Sequence, residues 1–172
     1  MDGPRFVRIT DIESGAINWS TVPGCAMDAG DLEKYRLRSD DIVFARTGSI
    51  EKAARIVDPP DAVFASYLIR GRPLLADLAP WLGVFVGSLS YVGQAKQMSA
   101  GIGRANVNAK NLARVRLPLP PLAEQGRILE ITDSCLTRLD AAVANLERAR
   151  ARLNAYRSSV LKAAVEGRLV PT

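Results

Sequence analysis

Histidine is absent from the chain. Its absence removes the side chain most often used as a general acid or base near neutral pH, and the commonest metal ligand with it. Cysteine is scarce. Cys25 and Cys135 stand far apart, match no metal-binding or redox spacing, and suit a reduced protein better than a disulfide-stapled one. No apolar run reaches the roughly 18 residues that a membrane span needs. The best candidate, Leu78 to Tyr91, is broken at Gly83, Gly87 and Ser88. The opening Met1-Asp2-Gly3-Pro4-Arg5 lacks the pattern of a signal peptide. The expectations that follow are a cytoplasmic location, no membrane partner, no metal, no catalytic residue and no cofactor bound by this chain.

The composition itself is that of a folded domain, with 48% apolar and 24% charged residues, so disorder is not the default. A net charge of +5 attracts polyanions, although on its own it is weak evidence of a nucleic-acid partner. Asp40, Asp41 and Glu51 offer carboxylates, but no further Asp/Glu–Lys arrangement follows at a consistent spacing. A turn leading into a strand explains Asp40-Asp41 without chemistry.

The chain divides at Leu117-Pro118-Leu119-Pro120-Pro121, where three prolines in four positions exclude both a helix interior and a central strand. Residues 1–117 read as one mixed α/β domain with a small twisted sheet, 118–121 as a junction, and 122–172 as a long helix with its end, an α+β class overall. Expected strands are Phe6 to Ile9, Asp41 to Arg46, Arg55 to Val57, Val63 to Ile69 and Leu112 to Leu117. A helix is expected from Pro73 to Met98, either whole or in two pieces with Pro80 opening the second.

From Leu122 to Val165 there is no proline and no glycine except Gly126, and Ala, Leu, Arg and Glu dominate. Apolar residues recur on a heptad: Leu139, Leu146, Leu153 and Val160 at one position, and Ile128, Cys135, Ala142, Ala149, Tyr156 and Ala163 at the other. Such a seam wants a partner helix, and the alanines permit close approach. Packing of the helix on its own domain is the competing possibility, although a helix on the order of 60 Å is too long for a domain of this size to cover. Gly167 is placed to stop the helix in a left-handed turn, with Leu169 and Val170 available for an apolar contact and Pro171 barring continuation.

At this junction the chain resembles a known family. Leu117-Pro118-Leu119-Pro120-Pro121-Leu122-Ala123-Glu124-Gln125, a heptad helix, and Leu161-Lys162-Ala163-Ala164-Val165-Glu166-Gly167-Arg168-Leu169-Val170 are similar to the helical segment of type I restriction-modification specificity subunits. The earlier stretches Phe6-Val7-Arg8-Ile9-Thr10-Asp11-Ile12, Tyr35-Arg36-Leu37, Asp40 to Ser49 and Gly101 to Asn108 resemble successive parts of the family's target-recognition domain. The resemblance implies a non-catalytic subunit that reads a half-site in double-stranded DNA and docks a methyltransferase subunit and, through it, a motor nuclease. It also implies that S-adenosylmethionine, Mg and ATP belong to those partners. Full-length members carry two recognition domains and two helices packed antiparallel, so one domain and one helix imply a half-length chain that pairs with itself as an antiparallel coiled coil. The family's domains have further residues before the segment like Phe6 to Ile12, so a truncated product, a gene fragment or a compact variant is expected. The competing function is a coiled-coil interaction protein that binds the methyltransferase subunit without reading DNA.

A DNA-reading domain needs cations for phosphates and planar hydrogen-bonding groups for base edges. Arg46, Thr47 and Ser49, around Gly48, follow a strand directly and offer a cation, hydroxyls and backbone N–H groups, or else form a plain polar turn. Gln94, Lys96 and Gln97 lead into Gly101 to Asn108, where Arg104, Asn106 and Asn108 are residue types that pair with guanine and adenine. Arg70 and Arg72 form a third group that reads equally well as solvated charge. Arg148, Arg150, Arg152, Arg157 and Lys162 spread around the helix circumference, as on a solvated coiled-coil flank.

Overall fold

The structure is a computed structural model that describes residues 3–98 and 107–169. The chain forms two compact units, Met1–Pro120 and Pro121–Thr172.

The first unit is α+β and, among the described residues, holds three small sheets. Strand β1 (Arg5–Val7) pairs in parallel with β6 (Ala62–Phe64), β2 (Ile12–Glu13) forms a hairpin with β3 (Ala16–Ile17), and β4 (Ile42–Ala45) is the centre of an antiparallel sheet in the order β5-β4-β7, with β5 at Ala53–Arg55 and β7 at Leu68–Gly71. Strand β4 reads Ile-Val-Phe-Ala because both its faces are covered. Val43 and Ala45 point into a core with Val7, Ile12, Val22, Leu37 and Ile56. Ile42 and Phe44 point the other way, onto Phe85, Val86 and Tyr91. Side-chain alternation along one short strand therefore divides the interior into two cores.

The second core is roofed by helices α2 (Ala79–Val86) and α3 (Leu89–Met98), preceded by a 3₁₀ turn at Ala76–Leu78. The expected helix from Pro73 to Met98 is thus broken at Gly87-Ser88, where Ser88 Oγ donates to Phe85 O at 2.6 Å and accepts from Tyr91 N at 3.3 Å, closing one helix and opening the next. Pro80 stands in the first turn of α2, where a missing N–H costs nothing. Tyr91 is buried against Phe44 and Phe85, and that burial, with the nearby Glu51 charge, pushes its hydroxyl up to about 12.

Several expected strands are corrected. Val63 to Ile69 is two strands, β6 and β7, because the chain switches sheets at Ala65–Tyr67; Ala65 N bonds to Val7 O and Leu68 N turns back to Ala65 O, both at 2.9 Å. The strand expected at Arg55 to Val57 lies two residues earlier, where Ala53 pairs with Phe44, and Val57 is exposed. Phe6 to Ile9 gives way after Val7 to a 3₁₀ turn at Ile9–Asp11, and the run from Asp41 to Arg46 narrows to β4. Leu112 to Leu117 is no strand. Leu112 ends a short helix α4 (Ala109–Leu112), and the following residues take their backbone partners from helical carbonyls and a side-chain amide, while Val115 and Leu117 still pack into the second core. Helix α1 (Ala29–Tyr35) and the β2–β3 hairpin have no counterpart among the expected elements.

Two buried carboxylates fasten the loops. Asp41, fully buried, accepts from Arg38 N at 2.9 Å and from the Arg72 fork at 2.7 and 3.0 Å. Asp11 is 1% exposed and accepts from Arg8 N, Nε and Nη2 and from Thr21 Oγ1 at 2.8–3.1 Å.

The second unit is helix α5 (Leu122–Val165), 44 residues or about 66 Å at 1.5 Å per residue. It ends as the sequence implies: Gly167 takes φ +69°, its N–H bonds to Ala164 O, and Arg168 N bonds to Ala163 O at 2.8 Å, the paired bonds of a Schellman stop. Val170 and Pro171, expected to support this stop, lie outside the described residues.

Burial raises the pKa of Asp11, but the hydrogen bonds from Arg8 and Thr21 outweigh it and hold the carboxyl below its ordinary value. A carboxyl with a lowered folded pKa stabilises the fold above the unfolded value near 3.9 and loses that contribution as pH falls through the folded one. Melting temperatures of the wild type and Asp11→Asn should therefore differ most at neutral pH and converge below about pH 4. A gap that stays constant down to pH 2 would show that the carboxylate charge is not what stabilises this turn.

Candidate nucleic-acid interface

Where β4 ends, the backbone continues into the turn Arg46-Thr47-Gly48-Ser49 that leads back to β5. Gly48 takes φ +72°, a conformation open to glycine at no steric cost, and the turn is closed by Ile50 N to Gly48 O and Lys52 N to Ser49 O, both 2.9 Å. Arg46 and Gly48 are exposed, with Thr47 and Ser49 half-buried. Among the described residues the Arg46 guanidinium makes no ion pair or hydrogen bond. Its backbone is held on both sides: Arg46 N donates to Tyr67 O, and Val107 N donates to Arg46 O, each at 2.8 Å. Val107 is 1% exposed and immediately precedes Asn108. Val107 and Asn108 are thereby fixed beside the Arg46 turn, and the β6–β7 turn bonds to Arg46 from the other side.

The other candidates are placed less freely. Gln94 spends its amide on one residue, donating Nε2 to Arg116 O at 3.1 Å and accepting from Arg116 N at 2.8 Å through Oε1. The Asn108 side chain caps α4 by accepting from Asn111 N at 2.9 Å. Arg72 is committed to Asp41, and Arg70 donates to Arg36 O at 2.6 Å with its guanidinium 5.3 Å from the centre of the Phe64 ring. Lys96 and Gln97 are exposed on α3. Arg104 and Asn106 lie outside the described residues.

Sequence reasoning did not single out Tyr67, Arg114 or Arg116. Beside α3 runs an open cleft of about 900 Å³ whose lining includes Ser90, Gln97, Asn111, Arg114 and Arg116. A signal for the two arginines was present: Arg114 and Arg116 alternate with Val115 and Leu117, which pack inward, so the cations fall on the outer side. Among the described residues no cluster of Cys, Asp and Glu could hold a metal ion, and no helix is long and apolar enough to cross a membrane.

On α5, the heptad residues Leu139, Leu146, Leu153 and Tyr156 are 57–70% exposed. Cys135, Ala142 and Ala149 are exposed too, while Ile128, Val160 and Ala163 are half-buried. Leu136 and Val143 widen the apolar face in the first half of the helix. Arg148 bonds back along the helix to Asn145 Oδ1 at 2.7 Å, as a solvated flank residue does.

Residues 11–154 match the model of the type I restriction modification DNA specificity domain. The chain is 28% identical over 141 residues to the type I restriction enzyme EcoKI specificity subunit of Escherichia coli K12, and 29% identical over 141 residues to the StySPI specificity subunit of Salmonella potsdam, covering 80% of this chain and 30% of either relative. It is 24% identical over 171 residues to the EcoBI specificity subunit of Escherichia coli, covering 98% of this chain and 36% of that one. The chain thus spans about a third of the length of these relatives. A chain in a solved structure concerned with complex assembly and conformational transition of the type I R-M system shares the fold, with a TM-score of 0.60 at 20% identity over 94% of this chain and 42% of that one. With a family match across both units, and with the mixed α+β unit and long helix that the resemblance implied, the chain belongs to the type I restriction modification DNA specificity domain family.

Proposed function

We propose that this chain is a half-length, non-catalytic DNA-specificity subunit. Its first unit reads one half-site in double-stranded DNA, and α5 pairs antiparallel with the same helix of a second copy. The paired helices space the two recognition units and dock a methyltransferase subunit, through which a motor nuclease is recruited. Methyl transfer and cleavage are left to those partners, together with S-adenosylmethionine, Mg and ATP.

The observation that carries this reading is the joint presence of an exposed cation, unpaired among the described residues, at a turn where two neighbouring segments meet, and a 44-residue helix whose leucine seam is exposed in the single chain. The first is what a phosphate or base edge requires. The second is an apolar stripe that water disfavours and a second helix would bury. Self-pairing through one repeated surface is two-fold symmetric, so the two recognition units would present the same half-site in inverted orientation.

Two expected outcomes test it. A complex that neutralises several phosphates should lose duplex affinity log-linearly with salt, with a slope near −0.9 per phosphate. A flat salt response would contradict the DNA reading. Replacing Leu146 and Leu153 with glutamate should convert a dimer to a monomer in light scattering at tens of micromolar, an estimate based on the strength of heptad seams of this length. A wild-type monomer, or a double variant that stays dimeric, would contradict pairing through this seam.

A further inference from the structure

Tyr67 is an aromatic side chain that the fold leaves in solvent. It is 63% exposed, whereas every other aromatic residue of the first unit is buried or half-buried. A lone exposed ring is unremarkable; its position is what gives it meaning. The β4–β7 ladder ends on the pair Ala45–Leu68, and one residue further, where the chain turns, Arg46 N still donates to Tyr67 O at 2.8 Å. The exposed ring is thus carried by the residue whose carbonyl holds Arg46 N, and Arg46 is a cation without a side-chain partner among the described residues. The ladder is also closed from a third side, because the Arg46 carbonyl accepts Val107 N at 2.8 Å. Both residues of the pair are thus held on backbone fixed by hydrogen bonds while their side chains face water, the arrangement of a preorganised contact surface.

We propose that Arg46 and Tyr67 act together on duplex DNA and that Tyr67 is itself a DNA-contact residue. Arg46 donates to a phosphate or a base edge, and the ring of Tyr67 lies against the neighbouring apolar wall of sugar and base, as a flat side chain with two rotatable bonds can do at little entropic cost. This rests on the reading of the first unit as a DNA-binding unit and adds to it a residue that the cationic loops alone do not supply.

The test uses the full chain, alone and with a type I methyltransferase subunit, and a labelled random-sequence duplex of about 30 base pairs, a length on the order of three helical turns. A photo-cross-linking phenylalanine analogue at position 67 should cross-link to the duplex, while the same analogue at the exposed Val57 should not. Tyr67→Ala should weaken binding by about fivefold or more with its melting temperature unchanged, and Tyr67→Phe, which keeps the ring, should stay within about twofold of the wild type. Wild-type binding with no cross-link at 67, or with equal losses in Tyr67→Ala and Tyr67→Phe, would overturn the Tyr67 contact and leave the DNA reading standing. No duplex binding by the wild type in either setting would overturn both.

Discussion

Asp41 is fully buried, and its carboxylate is tolerated there because three N–H groups close on it: Arg38 N and the Nε and Nη2 of Arg72. An unpaired charge at that depth would cost several kcal/mol. Its backbone is fixed as well, with Asp41 N bonded to Arg38 O and Ile56 N bonded to Asp41 O. Next to it, Asp40 adopts φ +72° and pairs with Arg55 of β5 at 2.6 Å. These bonds determine where β4 starts and tie it to the chain beyond β5 and β7. Because β4 separates the two cores, its start also fixes which residues face which core. Four residues on, it fixes where the chain leaves the sheet, at Arg46. The position of the exposed cation thus depends on a carboxylate at the other end of the strand.

The same dependence explains which features were legible in the sequence. The long helix was, because its heptad is local, its interior is free of proline, and Gly167 stops it by a rule that needs no tertiary contact. Strand β4 was legible because an apolar run bounded by Asp40-Asp41 and Arg46 has few other uses. The split of Val63 to Ile69 into β6 and β7 was not, because it depends on β6 pairing with β1 in one sheet and β7 with β4 in another. The segment before the prolines has strand-like alternation, yet the Gln94 amide takes the place of a neighbouring strand for Arg116.

For the candidate site, residue type indicated what each side chain offers but not whether the protein itself claims the offer. Arg46 keeps its guanidinium unclaimed among the described residues. Arg70, Arg72, Gln94 and Asn108 are each engaged within the unit, on Arg36, Asp41, Arg116 and Asn111. A residue bonded at both ends of its polar group adds to binding only by exchanging those bonds, which costs what it gains. Tyr67 escaped notice for the opposite reason, since within an apolar run it reads as one more strand residue.

The proposed function makes the chain one of two copies paired through α5, each reading the same half-site. Selection from a pool of random duplexes by the chain mixed with a type I methyltransferase subunit tests that proposal most directly. The expected result is enrichment of an interrupted palindrome, the same half-site twice in inverted orientation with a fixed, sequence-free gap. Enrichment of no motif, by a complex that still holds the methyltransferase subunit, would contradict it and leave an interaction protein that does not read DNA.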